Sequence, residues 1–159
     1  MKCLSLLLAG ALALFPAPRS HAANPKYAEP TGAADQLAYL SGSPAVTTVK
    51  GQPKVYVWGV DRQEVQDAEA QWSRPVAVTP GRRVITVAIK GLIYQEFELD
   101  LCAGCRYQAH VTYAETAGLM VRKHTSDFWL TRLPDGEVVT EHKQGLAIPV
   151  KATIYFQRY

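Results

Sequence analysis

Between Arg83 and Tyr113 the chain alternates apolar and polar residues with a period of two. Ile85, Val87 and Ile89 share one side of a first run. Ile93, Phe97, Leu99 and Leu101 share one side of a second, with Tyr94, Glu96, Glu98 and Asp100 on the other. Tyr107, Ala109, Val111 and Tyr113 share one side of a third. Only an extended chain sends successive side chains to opposite faces, so each run reads as a strand with one buried face. Short strands of this kind separated by frequent turn signals predict an all-β fold, a single antiparallel β-sandwich of about seven to nine short strands.

The turns are legible from their chemistry. Thr79-Pro80-Gly81-Arg82 has proline second and glycine third, as a type II turn prefers. Pro134-Asp135-Gly136 is a three-residue hairpin loop between Phe128–Leu133 and Glu137–His142, with glycine last. For Cys102-Ala103-Gly104 a three-residue loop pairs Leu101 with Cys105, Leu99 with Tyr107 and Phe97 with Ala109, so the apolar faces of Leu92–Leu101 and Cys105–Tyr113 coincide. It also places Gly104 at the left-handed position of a bulged loop. Lys90-Gly91 marks another turn, where the pattern does not settle the register and a crossing between sheets stays open. On the earlier run, Val55, Val57 and Gly59 lie on one side, with Tyr56 and Trp58 on the other. Leu146 to Tyr159 reads as a terminal strand with Pro149 near its start or at an edge. Asp61 to Trp72 departs from the pattern. Val65, Ala68 and Trp72 have helical spacing, and a loop with one helical turn fits this short polar segment equally well.

The first 22 residues read as a targeting signal rather than as fold. Met1-Lys2 is followed by an uncharged apolar run from Cys3 to Phe15, a Pro16-Ala17-Pro18-Arg19 break, and the small residues Ser20 and Ala22 in the spacing of a cleavage site. The run is short of the roughly 20 residues of a transmembrane helix, and an uncleaved anchor is the alternative. Cys3 precedes the apolar run instead of following it, so no lipid anchor is expected. Cleavage behind Ala22 removes Lys2 and Arg19 and no acid, and 17 basic residues against 14 acidic become 15 against 14. The charge surplus belongs largely to the signal. A nearly neutral mature chain lacks the basic face of a nucleic-acid binder. The expected organisation is a signal peptide over 1–22, a flexible lead-in over 23–36 and one β-sandwich domain over 37–159. The mature chain should have no integral membrane span, be soluble, and be periplasmic or secreted.

Several motifs are similar to those of a known group. They are Ala38-Tyr39-Leu40-Ser41-Gly42-Ser43, then Val55-Tyr56-Val57-Trp58-Gly59-Val60-Asp61 followed by Pro80-Gly81-Arg82-Arg83-Val84-Ile85-Thr86-Val87, and Ala103-Gly104-Cys105-Arg106-Tyr107 with Asp135-Gly136-Glu137-Val138-Val139 further on. Over roughly Ala38 to Val139 the chain resembles small exported bacterial proteins of uncharacterised function. Its middle portion looks like PEGA-type repeats, in which a Pro-Gly turn opens a strand of a small β-sandwich. The cysteine pair departs from that pattern. The resemblance implies a fold and export, and no activity.

Candidate chemistry concentrates at Cys102-Ala103-Gly104-Cys105. In an oxidising compartment two cysteines so spaced favour a disulfide that closes the loop. Thiol–disulfide exchange is the alternative, but it needs a lowered thiol pKa, usually from a helix N-terminus, and here only Arg106 is at hand. A soft metal such as Cu(I) or Zn would need a histidine added to the pair. His110 has the wrong parity for that, and His124 and His142 have no fixed relation to the loop. His124, Ser126 and Asp127 hint at a hydrolase, yet a triad is recognised in space rather than in sequence, and solvated loop residues are the plainer reading. Glu96, Glu98 and Asp100 read as a solvated outer face, since the opposite face is apolar. Tyr56 and Trp58 are either core of a second inner face or an aromatic binding surface. No catalytic residue, metal site or cofactor is assigned. The expected function is that of an exported non-catalytic β-sandwich binding or supporting another envelope component, an envelope protein or cell-wall component. The alternative is a periplasmic thiol–disulfide or metal-binding protein using Cys102 and Cys105.

Overall fold

The computed structural model describes residues 25–47, 50–89, 93–117 and 122–147. The expected signal peptide and the terminal strand beyond Ala147 therefore lie outside the described residues. Among those described, no helix forms and the strands run β1 Ala38–Ser41, β2 Ser43–Pro44, β3 Val46–Thr47, β4 Lys54–Val60, β5 Gln63–Glu64, β6 Val76–Val78, β7 Gly81–Ile89, β8 Ile93–Leu101, β9 Arg106–Ala117, β10 Arg122–Leu133, β11 Glu137–Val138, β12 Lys143–Gln144 and β13 Leu146–Ala147. They form two sheets. The first has the order β13-β8-β7-β4-β2 with β5 on β4. The second has the order β11-β10-β9-β1-β6, with β12 on β10 and β3 on β9. The protein is thus an all-β sandwich. Its strands outnumber the expected seven to nine because two-residue pieces patch the sheet edges.

The core lies between the sheets and follows the alternation. Val55, Val57, Ile85, Val87, Phe97 and Leu101 come from the first sheet, and Leu40, Ala109, Val111, Tyr113, Phe128 and Leu130 from the second. Glu96, Glu98 and Asp100 are exposed on the outer face, as their parity demands. Gly81, Gly104 and Gly136 adopt φ values of 102°, 74° and 70°, so each of these glycines takes the positive φ expected of it.

Strand partnership differs from expectation. β8 does not pair with β9. Its partner is β7, with Ile85 opposite Phe97, Ile89 opposite Ile93 and Gly81 opposite Leu101. β9 pairs with β10 along twelve positions and with β1 in parallel. The crossing between sheets therefore falls at Cys102–Cys105, and β7 and β8 flank Lys90-Gly91 as adjacent antiparallel strands. The physical reason is that alternation states which face is buried and is silent about which strand lies alongside. The apolar faces of β8 coincide equally well with those of β7 and of β9. On the outer face, however, β7 brings Arg82 opposite Asp100 and within 2.6 Å of the Glu98 carboxylate. The loop end is held by a third element: the Gly104 N–H donates to the Leu37 carbonyl at 2.9 Å and the Tyr39 N–H to the Cys105 carbonyl at 3.0 Å.

Three other local readings change or are settled. A bulge between Val57 and Gly59 shifts the β4–β7 register, so Val60 rather than Gly59 follows Val57 into the core. Asp61–Trp72 is a hairpin return through β5, with positive φ at Asp61 and Arg62 as in a tight hairpin turn, followed by a loop whose one helical turn, the alternative left open by the sequence, is closed by the Gln71 N–H on the Asp67 carbonyl at 2.9 Å. β10 begins at Arg122, which makes Ser126 and Asp127 strand residues instead of loop residues.

Within the lead-in, Pro25–Glu29 lies against the fold. The Tyr27 N–H donates to the Glu64 carbonyl at 2.9 Å and the Glu64 N–H to the Pro25 carbonyl at 3.1 Å, Tyr27 donates its hydroxyl to the Ala77 carbonyl at 3.0 Å, and Glu29 accepts from the Ala77 N–H at 3.1 Å. Burial pushes the Tyr27 phenol up to about 12. These contacts cover the outer edge of β6, which would otherwise present unpaired backbone groups.

Candidate functional site

Cys102 and Cys105 stand at disulfide-bonding distance with their α-carbons 5.4 Å apart. Both are half-buried against the core. The Tyr107 hydroxyl, itself buried, accepts the Cys102 N–H at 3.0 Å and sits 3.1 Å from its sulfur. The surroundings are strand ends and an aromatic hydroxyl, with no helix to lower a thiol pKa. A bond here closes a loop of four residues, worth roughly 2 kcal/mol by chain entropy. Replacing both cysteines by serine should therefore lower the melting temperature by several degrees and leave the fold intact, with circular dichroism as the readout. Non-reducing peptide mapping should find the two residues linked in protein exported to an oxidising compartment. Two free thiols there would remove the staple.

The histidines do not converge on this pair. Among the described residues no three His, Cys, Asp or Glu side chains gather as a metal site would require. His110 points outward from β9. Its Nε2 lies 2.9 Å from the Thr131 hydroxyl and its Nδ1 3.4 Å from the Ser43 hydroxyl. Ser126 is buried and faces the opposite side of β10 from Asp127, and His124 stands opposite Glu115 further along the ladder, so the three close in sequence do not form a triad. Asp127 instead meets His142, whose Nδ1 is 2.7 Å from the carboxylate.

Trp129, which the sequence reading passed over, organises this face. Its indole is stacked between His110, at 5.4 Å between centroids, and His142, at 4.5 Å. The signal was present in the alternation of β10, which sends Phe128 and Leu130 inward and Trp129 outward beside His110.

Burial holds the His110 pKa below its ordinary value. The unfolded chain therefore takes up this proton first as pH falls, and stability is lost below about pH 6.5, at no more than roughly 1.4 kcal/mol per pH unit for one proton. Urea melts of the wild type and His110→Gln should show this component in the wild type alone. Parallel curves between about pH 5 and 7 would refute it.

On the outer face of the first sheet, Tyr56 and Trp58 take different positions. Tyr56 is 3% exposed and Trp58 partly buried, in edge-to-face contact with Tyr94 at 5.9 Å. Trp58 sits at the β4 bulge, a device that re-aims a side chain. Together the two aromatics floor a groove of about 880 Å³ walled by Lys26 and by Glu64 to Ala70. The wall is tied down. The Val65 N–H donates to the Trp58 carbonyl at 2.9 Å, Gln71 to Asp67 at 2.9 Å, and Lys26 pairs with Glu64 at 2.9 Å. Tyr56 is thus nearly buried on the outer face, outside the core cluster between the sheets, and Trp58 beside it is partly buried. Lys26, Gln66, Asp67 and Glu69 had no periodic signal and reach the groove only through the lead-in and the turn segment. No protein-family model, curated protein or solved structure matches the chain.

Proposed function

We propose that this is an exported, non-catalytic β-sandwich of the cell envelope that binds or supports another envelope component, either an envelope protein or cell-wall material. The observation that carries this reading is the groove above Tyr56 and Trp58, whose volume falls in the range of roughly 300–1,000 Å³ usual for ligand sites. The order of basic, apolar and small residues over 1–22 supports export with cleavage behind Ala22. The resemblance to small exported proteins with PEGA-like sandwiches points the same way. No helix among the described residues is long and apolar enough to cross a membrane. Crosslinking in the native envelope followed by mass spectrometry tests both parts. The expected outcome is a chain beginning at Ala23 joined to an envelope component through residues of the groove wall. A chain retaining Met1, or crosslinks only to cytoplasmic proteins, would overturn the reading.

The bonding distance between Cys102 and Cys105 supports a second reading, thiol–disulfide exchange. An insulin-reduction assay separates the two, since a structural staple gives no turnover.

A further inference from the structure

Resting on the proposed binding role, we infer that the groove over Trp58 takes a neutral oligosaccharide. Its volume of about 880 Å³ exceeds what one inserted side chain fills and suits a short string of rings. The lining includes a partly buried indole in edge-to-face contact with Tyr94, the apolar ring type on which the C–H face of a pyranose stacks. The walls supply both kinds of hydrogen-bonding group. Lys26 donates, Glu64, Asp67 and Glu69 accept, and the Gln66 amide does both. Hydroxyl groups are themselves donors and acceptors, so a mixed rim matches a sugar better than a rim of one kind. The charge narrows the class further. Three carboxylates face one ammonium, and Asp67 and Glu69 have no ion pair among the described residues. That balance repels phosphorylated or uronic-acid glycans and leaves neutral sugars, N-acetylated ones included. The other outward indole, Trp129, is already stacked against His110 and His142, with ring centroids 5.4 and 4.5 Å away.

Calorimetric titration of the full chain with chitotriose and with cellotriose tests this, with oligogalacturonate and hexalysine as charged counter-probes. The inference expects one of the neutral trisaccharides to bind at millimolar concentration or below and oligogalacturonate not to bind. Trp58→Ala should weaken binding roughly tenfold or more, as truncation of a central aromatic anchor does. Trp58→Phe should keep most of the affinity, and Trp129→Phe should leave it unchanged. Asp67→Asn with Glu69→Ala alters exposed turn residues only and keeps at Asp67, whose φ is 51°, a residue type that tolerates the left-handed backbone, so its weakened binding would reach the same conclusion if Trp58→Ala failed to fold. Failure of both trisaccharides, binding indifferent to Trp58 and to the carboxylates, or preference for hexalysine would each overturn the sugar class. An envelope protein captured by groove crosslinks while both trisaccharides fail would overturn the sugar alone and keep the proposed binding role.

Discussion

Phe97→Asp should abolish the folded state or cost at least about 4 kcal/mol, whereas Glu96→Lys, one residue away, should change stability by only about half a kcal/mol. Phe97 is 1% exposed, at the centre of β8 and facing Ile85 across the ladder in the space between the sheets. Truncating a buried phenylalanine to alanine alone costs about 3–5 kcal/mol. Aspartate adds a charge to that space; the Lys143 ammonium lies 5.2 Å from the Phe97 ring centroid, but drawing it onto the shorter side chain would desolvate a second charge, so the chain would still unfold or protonate. Domains of this kind have about 5–15 kcal/mol in total. Glu96 faces solvent beyond the first sheet, and its side chain can change sign without entering the core. Urea denaturation of both variants measures the difference. Equal losses would mean that the inner and outer faces of β8 have been exchanged.

Gly42→Ala should cost at least about 3 kcal/mol, above the usual range for one added methyl group in a packed interior. Gly42 lies where the chain leaves β1 of the second sheet and enters β2 of the first. Its N–H donates to the Trp72 carbonyl at 2.8 Å and its carbonyl accepts from the Gln108 amide at 3.3 Å. A β-carbon there would overlap the Val55 carbonyl oxygen and lie 2.7 Å from the Trp72 carbonyl oxygen. Those are backbone atoms of packed elements, so relief would require β4 or the Trp72 turn to move. Gly51→Ala is the control, since nothing lies within 4 Å of its added carbon, although its φ of 93° carries strain of its own. Thermal melts of the two variants should separate clearly. A Gly42→Ala protein as stable as the wild type would show that the strand crossing is not tightly closed at this point.

Local pattern alone settled a good deal here. The alternation of Ile85–Ile89, Ile93–Leu101 and Tyr107–Tyr113 named the buried face of each strand, and the glycines at 81, 104 and 136 named the backbone positions needing left-handed φ. Both depend only on neighbours in the chain: side-chain parity in an extended backbone, and steric freedom at a single residue. The cysteine spacing put two sulfurs within possible reach, and the turn through Gly104, closed by the Cys105 N–H on the Cys102 carbonyl at 3.3 Å, brings their α-carbons to 5.4 Å. Partnership was beyond such signals. Whether β8 lies beside β7 or β9, and hence where the chain crosses between sheets, is a choice between pairings whose apolar faces match equally well. The pairing seen comes with Arg82 meeting Glu98 on the outer face and with the Gly104 loop end bonded to Leu37 and Tyr39, contacts that the alternation does not encode. The bulge at Trp58, the closeness around Gly42, the His110–Trp129–His142 stack and the groove wall all join residues distant in the chain. Only the tertiary structure decided them, because their energies come from contacts that do not exist until both sheets are in place.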